Sequence, residues 1–132
     1  MNEIHIQDIP LQPFQIYPGW FVEQNTFPVI EPGTNIRVIG LPGGDPWLLF
    51  ADCMLYMEHK AYNTVLDLGW VPEADPSGCY YLRLIKNQDW DNPLLRYKSR
   101  SKDDIVSKIN HWLRIVSNDF DYIPANNITS RT

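Results

Sequence analysis

The sequence predicts an α+β domain: an antiparallel β-sheet of about five to six strands, connected as a meander, with one long C-terminal helix packed on one face. Two observations carry this. Residues 65–71 and 79–86 alternate apolar and polar side chains across a stretch rich in turn formers, Ala74-Asp75-Pro76-Ser77-Gly78, and period two on both sides of such a turn specifies an antiparallel hairpin. Residues 105, 106, 109, 112, 113 and 116 are Ile, Val, Ile, Trp, Leu and Val, a spacing that lines up one face of a helix.

Taken from the N-terminus, residues 1–18 contain Pro10, Pro13 and Pro18 with little periodicity, and predict an extended arm lying against the domain edge. GWFVEQNTF (19–27) and NIRVIG (35–40) predict two strands joined by the turn Glu31-Pro32-Gly33-Thr34, whose Pro-Gly pair suits a type II turn. LPGGDP (41–46) reads as a loop. Trp47 to Lys60 reads as strand, a short helical turn near Asp52, then strand. Asp89 to Pro93 turns the chain into a further strand, Leu94–Lys98. Ser101 stands where an N-cap belongs, with Asp104 three residues on, so hydroxyl and carboxylate can satisfy the first free amides of the helix. After Ser117 the periodicity fades, and residues 118–132 are expected to form a partly ordered tail.

A chain of 132 residues with 44% hydrophobic and 13% aromatic content is expected to be one domain, 1–132, with its core in 19–117; folding at this length removes roughly two-thirds of the unfolded surface from water. Neither a leader nor an apolar run of about 18 residues is present, so a soluble cytoplasmic protein is expected. Asn127-Ile128-Thr129 then matches a glycosylation sequon by chance. Cys53 and Cys79 stand far apart without CxxC spacing, which suits buried, reduced thiols.

The net charge of −5 is uneven. From Arg96 to Arg114 six basic residues face Asp103 and Asp104, giving +4, while the rest of the chain carries −9. A mostly negative surface repels nucleic acid and attracts basic partners. No direct nucleic-acid or membrane partner is therefore expected.

The search for chemistry returns little. His5, His59 and His111 lack metal-ligand spacing, so neither metal nor cofactor is expected. Residues 40–45 are glycine-rich but have no Lys-Ser/Thr and end in Asp45, which suits a plain turn over a phosphate loop. Glu73 and Asp75 share one hairpin tip, whereas carboxylates that act as acid and base need to flank a cleft. A Cys53/His59 pair is the one nucleophilic option, disfavoured by the neighbouring Asp52 and Glu58. Trp20, Trp47 and Trp112 fall in core-like settings. Trp70 and Trp90 sit beside Glu73, Asp75, Asp89 and Asp91; an aromatic anchor ringed by carboxylates suits capture of a basic protein, with structural packing of both indoles as the alternative.

Several segments together resemble small bacterial immunity proteins of polymorphic-toxin and contact-dependent growth inhibition systems. They are Gly19-Trp20-Phe21-Val22 with Asn25 and Phe27, LDLGWVPEADPSG (66–78), LIKNQDWDNPL (84–94) and SRSKDDIVSKINHWL (99–113), about half of the chain. The resemblance implies a non-enzymatic cytoplasmic inhibitor that binds the C-terminal domain of one cognate toxin, a basic nuclease by expectation, and blocks its active site. It specifies no binding residues and no oligomeric state. From the charge map the expected toxin contacts are Trp70, Glu73, Asp75, Asp89, Trp90 and Asp91, with Glu23 in addition. The alternatives are a small hydrolase or ligand-binding enzyme using Cys53 and His59, and an accessory subunit with a non-toxin partner.

Overall fold

Period-two alternation in four neighbouring segments builds the centre of the molecule. In a computed structural model, which describes residues 2–119, β4 (Leu55–His59), β5 (Thr64–Val71), β6 (Cys79–Lys86) and β7 (Leu95–Ser99) form consecutive antiparallel neighbours. The edge strand β2 (Trp20–Asn25) completes a five-stranded sheet in the order β2-β4-β5-β6-β7. The hairpin pairs Thr64 with Lys86 at one end and Val71 with Cys79 at the other. A separate two-stranded parallel sheet joins β1 (Asn2–His5) to β3 (Ile36–Ile39).

The register divides the sheet into two faces. Leu55, Met57, Leu66, Leu68, Leu82, Leu84 and Leu95 point to the inner face and are fully buried. Helix α1 (Lys102–Asp119) covers them with Ile105, Ile109, Trp112, Leu113 and Val116. Each such aliphatic side chain contributes roughly 1.5–3 kcal/mol by leaving water. Ser101 caps the helix, its Oγ accepting from the Asp104 amide at 3.2 Å. Near the far end the Trp20 indole donates to the Leu113 carbonyl at 3.0 Å, tying helix to sheet edge.

The hairpin, the following strand and the capped helix agree with expectation, and three features differ. First, 19–27 and 35–40 do not pair with each other. The 31–34 turn forms, with Thr34 bonded to the Glu31 carbonyl through both its amide and its hydroxyl. Phe27, however, is drawn into the core between the two segments, so β2 stays on β4 while β3 takes β1. Second, the helical turn expected near Asp52 lies earlier, at residues 46–49, in place of the expected strand: Pro46 opens this 3-10 turn and the Asp45 carboxylate accepts from the Trp47 amide at 3.0 Å, while residues 50–54 are irregular. Third, the arm is partly a strand; after β1 it rejoins the body through Gln12 N to Phe27 O and Val29 N to Pro10 O. The helix runs to Asp119; the rest of the expected tail lies outside the described residues.

Candidate functional site

The outer face, away from α1, is where the sheet presents chemistry. One row crosses all five strands, because Gln24 faces Tyr56, Tyr56 faces Asp67, Asp67 faces Arg83 and Arg83 faces Arg96. At its centre the Arg83 guanidinium donates to the Asp67 carboxylate at 2.7 Å. Asp67 is buried, and that burial raises its pKa against the lowering pull of Arg83. Arg83 lies over two rings, Tyr81 at 5.2 Å and Trp90 at 5.0 Å. Trp90 stacks in turn on Tyr56, with centroids 6.5 Å apart. Tyr56 is held above its ordinary pKa by burial first and then by the negative field of Glu58, Asp67 and Glu23, among others.

This row sorts the expected contact residues. Trp90 leaves the β6–β7 loop, folds back over the outer face and remains 39% exposed. Asp89 and Asp91 flank it in solvent, and Asp89 is braced by Asn92 at 3.3 Å. Glu23 occupies the irregularity of β2 between Val22 and Gln24 and is exposed. Of the seven residues, Trp90 is the one seated on the outer face; Asp89 and Asp91 adjoin it in the same loop, and Glu23 adds to the negative field at Tyr56.

The other three do not join them. Trp70 is a correction: it points to the inner face, is 0% exposed and packs with Phe50 and Tyr80 at centroid distances of 5.0 and 5.1 Å. Its indole donates to the Asp75 carbonyl at 2.7 Å, so it holds the hairpin turn and offers no surface to a partner. Asp75 is held within the same turn by the Ser77 amide and hydroxyl, at 2.8 and 2.7 Å, which keep its carboxyl below the usual range. Glu73 is exposed. This turn and the Asp89–Asp91 loop lie at opposite ends of eight-residue strands, roughly 24 Å apart along the sheet.

The structure likewise separates Cys53 and His59. Both cysteines are half-buried, short of the full burial expected, and the Cys53 thiol lies on the outer face, 3.9 Å from Asp67 Oδ1 and 3.8 Å from Gln24 Oε1. Burial and the carboxylates of Asp67 and Asp52 raise its pKa, which keeps it a thiol and a poor nucleophile. His59 is buried on the inner face, edge-on to Trp20 and stacked on Tyr62. The two cannot act as a dyad in this arrangement. Among the described residues no group of three or more His, Cys, Asp or Glu is placed to hold a metal ion, and no helix is long and apolar enough to cross a membrane.

Sequence reasoning missed Tyr56, Asp67 and Arg83, and noted Arg96 only as the start of a basic stretch. A signal for the central pair existed: Asp67 and Arg83 each interrupt an apolar strand eight positions from Asp75, the middle of the turn. Hairpin register therefore sets them opposite each other.

Comparisons with protein-family models, curated proteins and solved structures find no match to this chain.

Proposed function

We propose that the protein is a binding protein of the bacterial cytoplasm, an immunity protein that neutralises one toxin by seating it on the outer sheet face. The observation that carries this reading is the partly exposed Trp90, stacked on Tyr56 and lying under Arg83, with exposed Asp89 and Asp91 beside it in the chain and Glu23 adding to the negative field at Tyr56. A rigid indole with ordered neighbours loses little entropy on contact and is the side chain most often dominant in interfaces. Carboxylates around it speed the approach of a basic partner such as a nuclease. The segmental resemblance to immunity proteins favours a toxin over other basic partners, and the acidic rim can stand in for the phosphate backbone that a nuclease cleft is built to hold.

The test is protection. A toxin C-terminal domain is expected to be encoded beside this chain, and cells producing that domain are expected to recover growth when the chain is co-produced. Protection is expected to fall with Trp90→Ala and with the double change Asp89→Lys, Asp91→Lys, while circular dichroism stays unchanged. Failure of the unaltered chain to protect, or a stable complex that leaves the partner active, overturns the reading.

A further inference from the structure

The edge strand β7 carries a second, oppositely charged surface. Arg96 lies directly across from Arg83 on the outer face, and like charges at facing sheet positions destabilise the pair. Arg83 is neutralised by Asp67. Arg96 has no hydrogen-bond or ion-pair partner among the described residues and is exposed. Two positions along, Lys98 is also exposed, and its ammonium rests over the Tyr81 ring at 4.9 Å. On the inner side of the same strand Lys108 of α1 lies 4.8 Å over Tyr97, whose hydroxyl donates to Asp104 at 2.7 Å. Tyr81, Arg96, Tyr97 and Lys98 line an open hollow of about 290 Å³ at this edge. Among the described residues β7 pairs with β6 alone, so on its other side no described strand takes up the backbone amides and carbonyls, which can accept another strand.

We infer that the free edge of β7 is a docking site for an extended acidic segment of a protein, which adds as a strand and places carboxylates against Arg96 and Lys98. Charge complementarity selects this occupant. The outward side chains of the edge are cationic in a molecule whose net charge is −5, so this is the place where an anionic chain meets least repulsion. A second copy does not fit, because antiparallel pairing of β7 with itself sets Arg96 and Lys98 against Lys98 and Arg96. The main-chain bonds would supply affinity and the alternate side chains selectivity. This surface adjoins the Trp90 site through Arg83 and Tyr81 but is offered by the sheet edge, and its test does not involve a toxin.

Labelled eight-residue peptides alternating Glu with Val, or Lys with Val, added to the full chain and followed by fluorescence anisotropy, decide the matter. The Glu peptide is expected to bind and to slow hydrogen exchange at amides of residues 95–99. The double change Arg96→Glu, Lys98→Glu, at two exposed positions with no role in the core, is expected to weaken it by about tenfold or more. An N-methylated Glu peptide, unable to complete the ladder, is expected not to bind. Equal binding of the Lys peptide or the N-methylated peptide, tighter binding of an oligonucleotide, self-association through β7, or no binding of the Glu peptide would each overturn the inference.

Discussion

The pair Asp67–Arg83 concentrates the electrostatics of the sheet in two side chains. A carboxylate inside a strand hydrogen-bonded on both sides has lost most of its water, and one guanidinium replaces it. Removing that cation costs far more than removing both charges, since an orphaned buried ion keeps its full desolvation penalty. Arg83→Met is therefore expected to lower unfolding stability by roughly 1–3 kcal/mol at pH 7, and Asp67→Asn with Arg83→Met by less. The pH dependence has a definite sign. A carboxyl whose folded pKa lies above its unfolded value takes up a proton on folding within that window, so stability gains as pH falls through the folded pKa and levels off below the unfolded one. In Arg83→Met the raised pKa moves higher still, and the deficit seen at pH 7 shrinks on acidification. Denaturant titrations between pH 7 and pH 4 check this; a deficit that is constant with pH contradicts it.

Among the elements, the loop before β4 owes its position to a missing side chain. A β-carbon at Gly69 would collide with the Asp52 carbonyl oxygen, so only glycine lets residues 51–53 lie flat over β5, where the Trp70 amide donates to the Ala51 carbonyl at 2.8 Å. Gly69→Ala is expected to lift this loop, and Cys53 should then react with a disulfide reagent several-fold faster than in the unaltered chain, read as the labelling rate of folded protein. An unchanged rate would show that the loop tolerates the β-carbon. The same element explains what could be read in advance. The β5–β6 hairpin and α1 were legible because period and caps are local, and the turn 72–78 fixes the register of everything paired across it. The partners of β2 and β3 were not, because the burial of Phe27, a contact between distant segments, decides them. Trp70 was misplaced for a related reason. Nearby carboxylates in the sequence suggested a rim, but strand parity turns its side chain inward, where Arg100 lies over it at 5.5 Å while bonding the Gly78 and Pro76 carbonyls.

For the molecule as a whole, charge and topology act together. Among the described residues one helix covers the inner face of the sheet, while the exposed acids Glu23, Asp89 and Asp91 and the exposed cations Arg96 and Lys98 belong to its edge strands and the loop before β7. Association of a basic partner at the Trp90 site is then expected to slow as salt rises from 20 to 300 mM, with little change in dissociation rate, because screening acts on the approach. Stopped-flow measurements separate the two rates, and an association rate indifferent to salt would remove steering from the account. The indoles give such an experiment its signal. Trp20, Trp70 and Trp112 are sealed from solvent while Trp47 is half-buried and Trp90 is open, so acrylamide should quench these two before the other three, and in a Trp47→Phe background Trp90 alone is quenched early. Arrival of a guest on the outer face would then be visible as protection from the quencher, with no dye attached.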